Sequence, residues 1–209
     1  MERERITISI KKEVLEKLDQ KIDGIKMRNR SHAIELMMSD MLGVAKIDTG
    51  IIMAGGKGAL RLIPVIEEVV KSFKDYGLSD IYIALGFLGD KIKQSIGDGS
   101  NFGLKISYIE GGEGTAGALS LIRDKVKKTF VVANLEQITN ISLAELINFH
   151  FSHTPLVSVA TSNTKQMKGF YVLEPEVFSL IPKDFSMLEE DVFPKLTKEN
   201  KLLIFPVIN

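Results

Sequence analysis

The chain opens on a strict alternation. In Arg5-Ile6-Thr7-Ile8-Ser9-Ile10 the isoleucines share one face and Arg5, Thr7 and Ser9 the other, the period-two pattern of a half-buried strand. The period then lengthens to that of a helix: Val14, Leu15, Leu18 and Ile22 fall at i, i+1, i+4 and i+8, and the run ends near Gly24. After the basic turn Lys26-Met27-Arg28-Asn29-Arg30, Ser31 is expected to cap a second helix, with Glu35 four residues beyond it. That helix would bury Ala33, Ile34, Met37, Met38, Met41 and Leu42 and stop at Gly43. About 45 residues holding a single strand cannot satisfy the strand's own edge or bury both helices, so this unit predicts a partner copy.

From residue 46 onward the pattern is different, and the chain is expected to divide into 1–45 and 46–209 with a short linker at Val44–Asp48. Short apolar runs alternate with helical periods. Strands are expected at Ile51–Ala54, Asp80–Leu85, Gly103–Ile109, Thr129–Ala133, Pro155–Ala160, Gly169–Leu173 and Leu202–Val207. Helices are expected at Pro64–Tyr76, Gly89–Ile96, Gly114–Val126, Ser142–Phe151, Pro175–Ile181 and Met187–Leu196. This order predicts an α/β domain with a mostly parallel sheet covered on both faces, whose ligands would sit at the carboxyl ends of the strands. Gly55–Leu60 falls at such an end, after the first strand, where glycines let backbone N–H groups approach an anion.

Composition narrows the chemistry. The 209 residues carry no net charge, so any attraction to nucleic acid must come from a local patch. Within residues 1–45, Arg3, Arg5, Lys11, Lys12, Arg28 and Arg30 gather at the ribbon end, whereas Glu13, Glu16, Asp19 and Asp23 lie along the first helix. Cysteine is absent, which excludes disulfides, thiolate metal sites and a cysteine nucleophile. No apolar stretch reaches the ~18 residues of a membrane span, and a cytoplasmic location is expected. His32, His150, His153 and the pair Glu189-Glu190 read as surface residues, and no His/Asp/Glu spacing marks a dedicated metal site.

Two resemblances bear on these segments. RITISI, K-x-x-L-x-x-L-D and R-x-R-S-x-x-I resemble the ribbon-helix-helix fold of Arc- and MetJ-type repressors. That resemblance implies a homodimer on duplex DNA. Arg5, Thr7 and Ser9 would read base edges, Lys11, Lys12, Arg28 and Arg30 would meet phosphates, and the amides of Ser31 and His32 would hold a phosphate at the second helix.

The rest of the chain resembles sugar-phosphate nucleotidyltransferases, which imply a Rossmann-like fold. The resemblance is carried by Ala54-Gly55-Gly56-Lys57-Gly58-Ala59-Leu60-Arg61-Leu62, Gly86-Phe87-Leu88, Gly97-Asp98-Gly99-Ser100, Gly114-Thr115-Ala116-Gly117-Ala118-Leu119 and Glu190-Asp191-Val192-Phe193-Pro194-Lys195-Leu196. It implies that Gly55, Gly56, Lys57, Gly58 and Arg61, with Gly114, Thr115, Ala116 and Gly117, bind a nucleotide or nucleotide sugar.

The family's Lys-Pro segment is absent, since Leu62 runs through Ile63 into Pro64. Leu135-Glu136 stands where its Gly-Asp metal ligand is expected, and neither its Glu-Lys-Pro motif nor its late aspartate appears before Asn209. Together these features lead to the expectation of a DNA-binding transcriptional regulator with a catalytically stripped nucleotidyltransferase-like domain that binds a nucleotide-type effector or drives oligomerisation. The alternative is an active transferase, joining an NTP to a sugar 1-phosphate with release of pyrophosphate. It would use the first unit to dimerise and Mg²⁺, with Glu136 as the candidate ligand.

Overall fold

The computed structural model of the chain describes residues 4–22, 27, 29–42, 47–55, 61, 63–86, 89–135, 141–161 and 165–207. It divides into two compact units, Met1–Lys46 and Ile47–Asn209.

In the first unit, residues 4–10 form neither helix nor paired strand. A strand is defined by hydrogen bonds to a neighbour, and no second strand exists among the described residues of this unit. Two helices follow, α1 (Lys12–Asp19) and α2 (Arg30–Leu42). They meet over buried Leu18 and Ala33, and the Arg30 guanidinium forks onto the Asp19 carboxylate through two 2.7 Å bonds. Those bonds hold the Asp19 carboxyl below its ordinary value.

The cap of α2 is Asn29, not Ser31: the Asn29 side-chain oxygen accepts from the His32 N–H at 3.0 Å. Asn caps as well as Ser, and Asn29 stands directly before the helix, which leaves Ser31 inside the first turn. The burial expected along α2 is met at Ala33 and partly at Ile34 and Met37, whereas Met38 and Met41 are exposed, Met41 to 88%. Gly24, Gly43, Val44, Ala45, Lys46 and the Leu42 side chain lie outside the described atoms.

The second unit is built on a seven-stranded sheet in the order β3-β2-β1-β4-β6-β5-β7. Its strands are β1 (Thr49–Ala54), β2 (Asp80–Leu85), β3 (Lys105–Ile109), β4 (Phe130–Asn134), β5 (Val157–Thr161), β6 (Phe170–Leu173) and β7 (Leu202–Pro206). β1 pairs in parallel with β2 and β4, β2 with β3, and β5 with β7. β6 alone runs against its neighbours β4 and β5. The helices are α3 (Ile63–Tyr76), α4 (Gly89–Ile96), α5 (Gly114–Ser120), α6 (Leu143–His153) and α7 (Phe193–Lys198).

Every residue of β1, β4, β5 and β6 is buried, as a sheet covered on both faces requires. Ile52 and Ala54 of β1 join Ile66, Val70, Phe73, Ile92, Leu146 and Ile147 on one face. Ile51 and Met53 join Leu119, Tyr171, Leu188, Phe193 and Leu196 on the other. The expected elements are therefore present in the expected order, with shifts at their ends. The helix expected to run to Val126 ends at Ser120 and continues as turns. The one expected at Pro175–Ile181 is a 3-10 segment, and the one at Met187–Leu196 begins as a π turn over Leu188–Val192.

Gly50 shows how tightly β1 meets its helix. A Cβ there would lie 2.4 Å from Cδ2 of the fully buried Phe73. Overpacking of this kind costs about 1–3 kcal/mol, so Gly50→Ala should lower the unfolding free energy by that amount in a urea titration.

Candidate functional site

In the strand order, the chain leaves β1 for β2 and β3 on one side and returns to β4 on the other. The segments after β1 and β4 thus diverge, and a crevice opens at the carboxyl ends of these strands. A cavity of about 260 Å³ occupies that place. Met53 and Gly55 line it at the end of β1, Ala84, Leu85 and Gly86 at the end of β2, and Asn134 at the end of β4; Gly112, Gly114, Thr115, Ala118 and Met187 complete the wall.

Gly55 differs from Gly112 and Gly114 of this wall. A Cβ on Gly55 would meet nothing within 4 Å, so internal packing gives no reason for glycine there. Gly112 and Gly114 are required by the fold itself: both have positive φ, and a Cβ would lie 2.5 Å from Ala118 Cα and 2.3 Å from the Ser186 carbonyl oxygen, respectively.

The start of α5 is closed from within. The Ser186 carbonyl accepts from the N–H groups of Ala116 at 3.1 Å and Gly117 at 3.4 Å. The Thr115 N–H points at the Met187 sulfur at 3.4 Å. These three donors already have partners within the fold.

Behind the wall lies a buried carboxylate. Glu189, 7% exposed, accepts from Asn134 Nδ2 at 2.7 Å, the Tyr171 hydroxyl at 2.7 Å and the Thr115 hydroxyl at 2.8 Å. The Thr115 hydroxyl in turn accepts from the Leu188 N–H at 2.9 Å. Burial, and then the Glu189 charge, push the Tyr171 phenol well above its ordinary value.

Glu189 and His150 correct the expectation that they are surface residues. His150 is fully buried, with Nδ1 2.9 Å from the Ser158 hydroxyl and Nε2 3.0 Å from Glu174. Serine, histidine and glutamate in this sequence look like a nucleophile and its relay. Yet Ser158 is also fully buried, and Glu174 follows β6 at the end of the sheet away from the cavity, so the set is an internal brace. Both residues carried a helical signal. His150 continues the stripe Leu143, Leu146, Ile147, and Glu189 falls seven residues before Leu196 on the stripe that holds Val192 and Phe193.

The remaining candidates are scattered or undescribed. Arg61 is exposed and does not line the cavity. Gly56, Lys57, Gly58, Phe87, Leu88 and Glu136 lie outside the described residues. The Gly97–Ser100 run is a turn, in which the Asp98 carboxylate accepts from the Ser100 hydroxyl at 2.6 Å and its N–H at 3.0 Å.

Among the described residues no three His, Cys, Asp or Glu side chains stand close enough to hold a metal, and the Glu189 oxygens are engaged by neutral donors. In the first unit, Arg5, Thr7, Ser9, Lys11, Lys12 and Ser31 are exposed. Arg30 is engaged by Asp19, the His32 N–H by Asn29, and Lys12 stands 3.9 Å from Glu16. Arg28 is outside the described residues.

Comparison with known proteins gives the domain its class. The chain is 25% identical to a probable glucose-1-phosphate cytidylyltransferase of Bacillus subtilis, over 73% of this chain and 77% of the relative. It is 27% identical to a probable mannose-1-phosphate guanylyltransferase of Oryza sativa, over 66% of this chain and 49% of the relative, so it spans about half the length of that protein. Among solved structures, one from Bacillus anthracis assigned as a glucose-1-phosphate thymidylyltransferase, determined with sucrose, superposes with a TM-score of 0.62 at 21% identity. That match covers 77% of this chain and 87% of the other. No protein-family model matches the chain.

The chain carries a sugar-phosphate nucleotidyltransferase-like domain with an α/β fold and a mostly parallel sheet. These relatives overturn the expectation of a DNA-binding transcriptional regulator with a stripped effector domain, because they are sugar-1-phosphate nucleotidyltransferases and point to the alternative. No helix among the described residues is long and apolar enough to cross a membrane.

Tyr171 makes the site sensitive to alkali. A phenol whose pKa is raised on folding contributes stability that is complete below its unfolded value near 10 and is lost as pH rises past it. Unfolding free energy should therefore fall above about pH 10, and less steeply in Tyr171→Phe, when urea titrations are repeated across that range.

Proposed function

We propose that the second unit binds a nucleoside triphosphate and a sugar 1-phosphate at the carboxyl-end cavity and transfers the nucleotidyl group. In that reaction a phosphate oxygen of the sugar 1-phosphate attacks the α-phosphorus. The bond from that phosphorus to the bridging oxygen breaks, and pyrophosphate leaves. The observation that carries the reading is Gly55. Its missing side chain leaves open space where β1 ends, and nothing among the described residues fills that space.

The names of the relatives support the substrate class. The nucleobase would lie against Met53, Ala84, Ala118 and Met187, where α5 is closed and the Glu189 charge behind it disfavours an anion. The phosphates would then extend toward Gly55, with Gly56, Lys57, Gly58 and Arg61 as the candidate groups for the leaving pyrophosphate. A cytoplasmic location, where such substrates are made, fits this reading.

The first unit would serve as a dimerisation arm of ribbon-helix-helix form. Ile6 and Ile8 share one face and are 66% and 49% exposed in a single copy, as expected of a strand that pairs with its twin. Light scattering should give twice the chain mass for the wild type, and the chain mass for Ile8→Glu, which places a charge in that face.

Pyrophosphate release should be measured with CTP, GTP or dTTP and either glucose 1-phosphate or mannose 1-phosphate. Release with one pair supports the transfer, thermal stabilisation without release retains binding alone, and neither effect removes the reading. Gly55→Val should leave the melting temperature nearly unchanged and lower nucleotide affinity by roughly tenfold or more, because the new side chain fills the cavity rather than the core.

A further inference from the structure

Glu189 is buried and charged, and it pairs with no cation among the described residues. A carboxylate in that situation must be satisfied by hydrogen bonds, and its charge makes those bonds stronger than neutral ones. Its three donors come from three separate elements: Thr115 from the first turn of α5, Asn134 from the last position of β4, and Tyr171 from β6. Thr115 and Asn134 line the cavity, whereas Glu189 and Tyr171 do not.

The π turn that carries Glu189 is itself anchored. The Asp191 carboxylate accepts from the Met187 N–H at 2.7 Å, and the Thr115 hydroxyl accepts from the Leu188 N–H. The hydroxyl of Thr115 therefore has a fixed direction, its proton toward Glu189 and its lone pair toward Leu188.

We infer that Glu189 is a positioning residue of the nucleotide cavity, which through Thr115 and Asn134 sets the separation between the start of α5 and the end of β4. The inference rests on the nucleotide-binding reading of the cavity. Glutamine at this position keeps the shape and can still accept from Asn134 and Tyr171 with its oxygen. Its NH₂ group cannot accept from Thr115 and can only donate to the remaining lone pair of that hydroxyl, so the charge-assisted bond to α5 is lost and at most a weaker neutral one replaces it.

The test compares wild type, Glu189→Gln, Thr115→Val and Thr115→Ser by amide hydrogen exchange and by calorimetric titration with CTP, GTP and dTTP. Expected for Glu189→Gln is a native circular dichroism spectrum, faster exchange at the first turn of α5 and the end of β4, and roughly tenfold weaker binding of the nucleotide that wild type prefers. Thr115→Val should behave likewise, and Thr115→Ser, which keeps the hydroxyl, should stay within about twofold of wild type.

Faster exchange confined to residues 186–192, or unchanged affinity in both Glu189→Gln and Thr115→Val, would overturn the assignment. A wild type that binds none of the three nucleotides overturns the functional reading instead, and the exchange pattern still decides whether Glu189 sets this wall. If Glu189→Gln fails to fold, Thr115→Val carries the same two measurements.

Discussion

Parallel pairing of β1 on both its edges is the constraint from which the second unit follows. A strand paired on both edges and covered on both faces has no exposed position, which accounts for the run Thr49–Ala54 and for the close meeting of Gly50 with Phe73. The chain cannot return directly from one parallel strand to the next, so helices must cross over the faces. The two crossovers that leave β1's neighbourhood go to opposite sides. Their divergence, rather than any particular side chain, opens the crevice.

What closes the crevice on its far side arrives much later in the sequence. β6 runs antiparallel, and this reversal brings Gly169 beside Asn134, whose N–H donates to the Gly169 carbonyl at 2.8 Å. It also sets Tyr171 on the same face as α5, edge-on to Phe193 with ring centres 5.0 Å apart. The segment Ser186–Val192 then lies across the start of α5. The wall is thus held by polar contacts in a largely apolar layer, those of Thr115 and Asn134 with Glu189 each joining residues more than fifty positions apart.

The alternation of strands and helices was legible because the sheet is buried and its strands are short apolar runs; β2 and α4 have the expected limits. Helix ends were less legible. Asn29 and Ser31 are nearly equal as caps in composition, and the choice between them depends on where the preceding turn delivers the chain. The Ile6 and Ile8 face was visible as a pattern, but a pattern of alternation does not say what covers it. Glu189 and His150 read as surface residues by polarity but as core by period. Each sits on an apolar stripe, and the stripe was the better guide. Gly114, which the family resemblance places in a ligand cradle, is in addition demanded by the close approach of Ser186, a neighbour far along the chain that no local pattern announces.

Ser186 is fully buried, and its hydroxyl has no hydrogen-bond partner among the described residues, while its carbonyl serves two amides of α5. The hydroxyl is therefore a liability at this position and the backbone is the useful part. A contact made by main chain to main chain is blind to residue identity, so drift at position 186 would leave it intact and leave no trace in an alignment. Glycine-rich motifs of this kind can keep their letters while the amides they advertise to a ligand are already answered by a neighbouring loop.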